Sequence, residues 1–378
     1  MHTPLFQLVE RAASDAGFER VGVAPAAHPE MHDLGRFAEW VDAGYAGEMG
    51  YLKRRNEDGE YKRAALQEAL PWAKSVIVAA MNYNPPAPRS IDAVRATEGW
   101  VSRYAMSPRD YHETVLSPLR RVESELADHV RERGIAVTTR AYVDTGPVLE
   151  RVYAKYAGIG WAGKNTCIIN EELGSWIFLG VIVTSIDYSA FVSGERFELA
   201  PDRCGTCTRC IDACPTEAFV SPGQLDASRC IAYFTIEKRG PIPQEMREKI
   251  GRHVFGCDIC QDVCPWNRRA PVTTNQDFQP DGSLINPNLS QLAHISPPEF
   301  RQRFRASPIS RAKHSGFLRN VAVAMGNSGQ AEYMSDLEEL ARSEDLNIAE
   351  HARWGLERLR TIKETARQPA RVDLSPDL

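Results

Sequence analysis

Cys204-Gly-Thr-Cys207-Thr-Arg-Cys210-Ile-Asp-Ala-Cys214-Pro215 sets three cysteines two residues apart and a fourth three residues on, with proline behind it. This is the bacterial ferredoxin spacing, in which the fourth thiolate ligates the other of two clusters. A second, partial copy follows at Cys257-Asp-Ile-Cys260-Gln-Asp-Val-Cys264-Pro265, and Cys230 lies between the two. Eight thiolates suffice for two [4Fe–4S] clusters. The crossed rule assigns Cys204, Cys207, Cys210 and Cys264 to one, and Cys214, Cys230, Cys257 and Cys260 to the other. Zinc is the competing reading, since closed four-cysteine sites also use C-x2-C units. Zinc ribbons, however, offer two separated pairs rather than a run of three closed by x3 and Pro, so the spacing favours clusters. The ninth cysteine, Cys167 in Thr166-Cys-Ile-Ile169, reads as a buried core thiol.

The surrounding chain has 378 residues, is 43% hydrophobic and 25% charged, and carries a formal charge of −5, which excludes disordered, collagenous and supercharged classes. A single core stops growing at roughly 250–300 residues, so two or three units are expected. The longest apolar stretch, residues 176–183, is too short to cross a bilayer, and Met1–Arg11 lacks the pattern of an export signal. The expectation is therefore a cytoplasmic protein with no membrane partner. Its thiols would stay reduced there and be available to metal.

Residues 1–200 read as an α/β (α+β) domain. Helices are expected at about 4–17, 33–44, 111–133 and 147–156, and strands at 20–24, 75–81 and 135–143; the apolar segments 166–170 and 176–184 look like paired strands. Residues 201–270 form a two-cluster bacterial ferredoxin-like domain. Residues 271–378 begin as a Pro/Asn/Asp-rich linker and continue as helices at 315–325, 332–341 and 348–362, an all-α HEAT-like pattern. A pure electron carrier needs only the cysteine-rich insert. The large flanking domains argue for an enzyme in which the clusters feed another redox centre, and the carrier remains the alternative from another class.

Six further stretches, taken together, resemble the epoxyqueuosine reductase family. They are Ser102-Arg-Tyr104, Arg109-Asp-Tyr-His112, Val143-Asp-Thr-Gly-Pro-Val-Leu-Glu-Arg151, Gly158-Ile-Gly-Trp-Ala-Gly-Lys-Asn165, Gly174-Ser-Trp-Ile-Phe-Leu-Gly180 and Phe255–Asn267. The resemblance spans about residues 30–360. It implies that the first domain binds cobalamin, that the substrate is tRNA carrying epoxyqueuosine, and that the epoxide is reduced to the cyclopentene of queuosine. Electrons would come from an external low-potential donor. Members look architecturally akin to corrinoid reductive dehalogenases, so a corrinoid reductase of small electrophiles is the second alternative.

The resemblance also suggests residue roles. Asp144 ends an apolar strand and matches the family's acid, which makes it the expected proton donor and a cobalamin neighbour; its competing reading is the N-cap of a helix starting at Pro147. A corrin, broad and apolar with amide arms, would rest on Ile168 and Leu179 with Lys164, Asn165 and Arg63 as polar contacts. Ala232 and Asp258 join this set because each neighbours a ligand of the Cys214/Cys230/Cys257/Cys260 cluster. The stretch Asp110-Tyr-His-Glu-Thr-Val115 lacks the glycine of the D-x-H-x-x-G cobalamin motif, so no histidine ligand to cobalt is expected and His112 reads as structural or a substrate contact.

Between Phe300 and Asn320 stand Arg301, Arg303, Arg305, Arg311, Lys313 and Arg319 with no acidic residue, beside Phe304 and Phe317. Such a face can neutralise phosphates, although a solvated basic flank has the same composition. With the resemblance, Arg311, Lys313, Arg319, Lys238 and Arg239 become the expected tRNA contacts. Nothing in the sequence demands more than a monomer.

Overall fold

A computed structural model of the chain describes residues 3–28, 31–64, 66–92, 95–193 and 199–367. Its organising element is the strand Ser75–Asn82, buried at every position. Val76, Val78 and Ala80 point into one apolar cluster and Ile77, Ala79 and Met81 into another, as the period of two requires of a strand covered on both faces. Four strands form the sheet, in the order Arg20–Pro25, Ser75–Asn82, Ile177–Thr184, Thr139–Tyr142, and all neighbours are antiparallel.

On one face lie the helices Pro4–Asp15 and Tyr111–Arg131. The second buries Val115, Leu119, Val122, Leu126 and Val130, the three- and four-residue rhythm of an amphipathic helix. It comes close because residue 180 is glycine: a Cβ there would lie 2.9 Å from Leu119 Cδ2. On the other face the helix Glu150–Tyr156 contributes Tyr153, Ala154 and Tyr156.

Two local expectations are corrected. The segments 166–170 and 176–184 are not partners: Ile168–Ile169 pairs with Trp161–Ala162, while Ile177–Thr184 enters the sheet between two other strands. An apolar run eight residues long needs neighbours on both edges, which adjacency in sequence did not supply. The helix expected from Pro147 begins at Glu150, because the chain first turns a corner at Asp144, whose φ is 55°.

The strand His253–Phe255, inside the cysteine-rich region, pairs in parallel with Trp100–Val101. The C-terminal helices Lys313–Ser328, Met334–Leu340 and Leu346–Arg367 then close over this junction. Gly326 lets the two long helices touch, since a Cβ there would lie 2.7 Å from Gly355 Cα. One apolar cluster joins Trp100, Val101, Val254 and Phe255 to Leu318, Val321, Leu337 and Leu356. This cluster thus draws residues from each of the segments 1–200, 201–270 and 271–378. Among the described residues no helix is long and apolar enough to cross a membrane.

Candidate active site

Asp144 sits two residues beyond the Thr139–Tyr142 strand in the left-handed region, which aspartate tolerates better than most residues, and its side chain is exposed. Asp110 caps the long helix by accepting from His112 N at 3.0 Å. This fixes Tyr111 at the first helical position, from which its hydroxyl donates to Asp144 Oδ2. Burial, then the Asp144 charge, raise the Tyr111 hydroxyl well above the usual phenol range, so Tyr111 remains a donor. Arg63 Nη2 donates to the main-chain carbonyl of Asp144 at 3.5 Å. The capping alternative for Asp144 fails: Leu149 occupies that place and makes no side-chain cap. Glu150, the first residue of the helix, has one carboxyl oxygen fully buried without a hydrogen-bond partner. Burial, with the Asp144 charge second, pushes its carboxyl up to about 7.

Aromatic rings fill the space from this corner to the cysteines. Tyr111 stacks on Phe178 at 4.3 Å and Phe178 on Tyr83 at 4.2 Å, while Tyr104 meets Tyr111 edge-on at 5.8 Å and Phe255 at 6.1 Å. Tyr104 is close enough to both Asp144 and Asp258 to feel their charges, after burial and the opposing Arg311. Asp258 is itself buried and accepts from Ser102 Oγ and from Arg103 N at 2.8 Å. Burial, then the Asp262 charge, raise it well above the usual carboxylate range. It locks the 102–103 segment onto the cysteine loop.

The thiols lie within electrostatic reach of one another, both within and across the two runs; Cys260, for example, feels Cys257, Cys230 and Cys210. Cys210 is pushed up to about 11, by burial first and then by Cys264, Cys204 and Cys207. Burial also raises Cys257 and Cys260; Cys230 and Cys214 act on Cys257, and Cys167, Cys257 and Cys230 on Cys260. Cys204 and Cys264 share an apolar cluster with Trp161 and Trp266, whereas Cys230 and Cys257 share one with Tyr233 and Phe234. Among the described residues no three His, Cys, Asp or Glu side chains converge on a single-ion site. A cubane does not require such convergence, because each thiolate binds a different iron. Cys167 is half-buried beside Cys260 rather than deep in the core.

The expected cobalamin contacts are placed as follows. Lys164 Nζ donates to the carbonyls of Gly205 (2.6 Å) and Cys207 (3.0 Å), and Asn165 Nδ2 to that of Cys260 (3.3 Å), so both brace cysteine loops. Ile168 and Leu179 lie in different sheets yet border the same apolar cluster. Ala232 is half-buried at the start of the π-helical turn Tyr233–Glu237. His112 has its Nδ1 2.7 Å from Asp110 Oδ1.

The basic residues divide sharply. Arg311 pairs with Glu237 at 2.7 Å and its charge reaches Tyr104 and Tyr111, at the edge of the Asp144 corner. Arg239 is exposed and donates to Arg311 O at 2.8 Å; Lys238 pairs with Glu48; Lys313 is exposed. Arg319 is corrected. It is 1% exposed and donates to the carbonyls of Lys238 (2.9 Å), Gly240 (2.7 Å) and Phe234, so it cannot reach a phosphate. Burial lowers it to about 10. Phe304 and Phe317 are core residues too. Arg319→Met should therefore cost about 3 kcal/mol or more in urea unfolding, through carbonyls left unpaired, whereas Lys313→Ala should stay within about 0.5 kcal/mol. Equal effects would contradict the buried role of Arg319.

Sequence reasoning missed Tyr111, Tyr104 and Glu150 as parts of the site. The aspartate preceding Tyr111, a capping residue at the start of a long amphipathic run, was the available signal.

Comparison with known proteins matches residues 203–267 to a family described as a 4Fe-4S double cluster binding domain, and residues 63–145 to one described as epoxyqueuosine reductase QueG, DUF1730. The epoxyqueuosine reductase of Vibrio cholerae is 38% identical over 365 residues, covering 96% of this chain and 94% of its own length. An epoxyqueuosine reductase crystallised with a tRNA-Tyr epoxyqueuosine-modified stem loop superposes with a TM-score of 0.80 at 30% identity, over 97% of this chain and 96% of that one. The enzyme from Bacillus subtilis, solved with an aspartate catalytic loop swung out of its active site, gives 0.78 at 30% identity over the same shares of the two chains.

Proposed function

The chain belongs to the epoxyqueuosine reductase family of tRNA-modifying oxidoreductases, and from that premise we propose that it removes the epoxide oxygen of epoxyqueuosine in tRNA using cobalamin and two [4Fe–4S] clusters, with Asp144 as proton donor. The observation that carries this reading is the Asp144 corner. An exposed carboxylate, held by Tyr111, is joined through Tyr104 and Phe255 to the loop bearing Cys257 and Cys260. The tRNA-bound relative and the aspartate loop of the Bacillus subtilis enzyme support it.

The residues present fit a corrin. Ile168, Leu173 and Ile177 are buried members of one apolar cluster with Tyr142 and Val148, which lie on either side of Asp144 in sequence, and the half-buried Leu179 at its edge offers a corrin an apolar contact. When bound, cobalamin supplies a strongly reducing cobalt centre and the clusters supply single electrons. The reaction takes in two electrons and two protons, breaks the epoxide carbon–oxygen bonds, forms the ring double bond and releases water.

Asp144 gives a proton to the departing oxygen, and the Tyr111 hydroxyl stabilises the carboxylate that remains. Glu150 retains a proton near neutrality and lies within electrostatic reach of Asp144, which makes it the second proton source. Arg63 holds the corner through its main-chain contact. Arg239, Arg311 and Lys313 contact phosphates at the rim, with Lys238 behind them. The 313–367 helices form a HEAT-like brace beneath that rim, and the enzyme acts in the cytosol as a monomer.

The deciding experiment is anaerobic. Protein reconstituted with iron, sulfide and cobalamin is given a strong reductant and tRNA carrying epoxyqueuosine, and its nucleosides are weighed. The expected result is cobalamin-dependent loss of one oxygen from the modified base; an unchanged mass, with cobalamin and both clusters bound, overturns the reading.

Glu150 makes a separate prediction. Its carboxyl rises from 4.5 to about 7 on folding, so the native state holds the extra proton and stability falls as pH climbs through that window. In thermal unfolding of cobalamin-free protein, Glu150→Gln should match the parent near about pH 5 and exceed it near about pH 8. Parallel profiles would show that Glu150 ionises normally.

A further inference from the structure

The solvent side of the cysteine-rich region carries a cavity of about 410 Å³ lined by Arg89, Ile91, Arg209, Asp212, Ala213, Asp262, Val263 and Arg268. Its wall includes the residues just before Cys210, Cys214 and Cys264, so it opens where the two cysteine runs cross. The carboxylates in this wall are engaged. Asp262 is buried, accepts from Ser90 N and Oγ and lies 3.7 Å from Arg103, while Asp212 accepts from Thr208 Oγ1 at 2.7 Å. Arg89 pairs with Asp92. Arg209, Arg268 and the adjacent Arg269 are exposed and, among the described residues, make no ion pair. Ile91, 43% exposed, adds an apolar contact at the rim. A chain of formal charge −5 thus gathers unpaired cations beside the residues that flank Cys210, Cys214 and Cys264.

We propose that this arginine-rimmed cavity docks an acidic one-electron carrier protein, which reduces the Cys204/Cys207/Cys210/Cys264 cluster. The inference rests on the reading of the eight cysteines as two electron-relaying clusters. Each encounter moves one electron: the carrier is oxidised by one, the cluster goes from [4Fe–4S]2+ to [4Fe–4S]1+, and two encounters supply one turnover. A small charged rim suits such a partner, because transient redox encounters use small interfaces and depend on electrostatic steering more than on affinity. Cys257 and Cys260 lie inward, toward Tyr104 and Asp144, so entry at the first cluster leaves the substrate side free.

The test reads the clusters rather than tRNA turnover, so it fails independently of the substrate assignment. Cluster-loaded protein is mixed anaerobically with a reduced, acidic plant-type [2Fe–2S] ferredoxin, and loss of cluster absorbance is followed by stopped flow. Arg209→Glu/Arg268→Glu should slow the second-order step by about tenfold or more at low salt, with reduction by dithionite unchanged. Arg209→Lys/Arg268→Lys should retain most of the rate, and the parent rate should fall as salt rises. Three results would overturn the proposal: equal ferredoxin rates in parent and charge-reversed protein, a parent rate indifferent to salt, or equal slowing with both reductants.

Discussion

Asp144→Asn should lower kcat by about 10² to 10⁴, the usual worth of a positioned general acid, while cobalamin binding and both cluster spectra survive. The survival is as informative as the loss. Asp144 supports no helix cap and its side chain is exposed, so removing its proton leaves the fold standing. Tyr111→Phe should cost less, about tenfold, since it removes one hydrogen bond of about 1–1.5 kcal/mol from the carboxylate and leaves the acid in place. The measurement is single-turnover loss of epoxyqueuosine with pre-reduced, cobalamin-loaded enzyme, which separates the proton step from electron delivery. Full activity in Asp144→Asn with cobalamin bound would remove the residue from the mechanism and leave Glu150 as the nearest replacement acid.

Local chemistry was legible in the sequence to the extent that it was written in spacing. Cysteine intervals announced a two-cluster domain, and six consecutive apolar residues, Val76 to Met81, announced the buried strand expected at 75–81. Pairing was not legible, because partners in a sheet need share no neighbourhood in sequence; Ile177–Thr184 reaches back to Ser75–Asn82 and Thr139–Tyr142. The same limit hid the parallel contact between His253–Phe255 and Trp100–Val101, which places these residues in one apolar cluster with the C-terminal helices. Composition misjudged Arg319 for a related reason. A basic residue in a basic run looks solvated, yet three main-chain carbonyls at the end of the Tyr233–Glu237 turn needed a donor, and only a long guanidinium side chain reaches them from the adjoining helix. Asp144 was found because the strand end and the resemblance agreed, whereas Glu150 stood in the same quoted stretch with no role assigned to it.

Cys264→Ala should abolish tRNA turnover and leave one cluster of the two, and a double variant decides whether the ligand sets are crossed. In the crossed arrangement Cys264 shares a cubane with Cys204, Cys207 and Cys210, the set to which the electrostatic neighbourhood of Cys210 points. Cys207→Ala/Cys264→Ala then damages that cubane alone, and the protein keeps about four of about eight irons. If each run instead served its own cluster, with Cys214 joining the first three and Cys230 joining the second copy, the same double variant would strike both and iron would fall toward zero. Iron analysis of anaerobically reconstituted protein separates the outcomes without any assay of activity. The spectrum of the survivor should match that of the parent's inner cluster, because Cys230 and Cys257 keep their apolar wall of Ile231, Tyr233 and Phe234. Turnover fails because the inner cluster, though intact, has lost the outer one that passes it electrons.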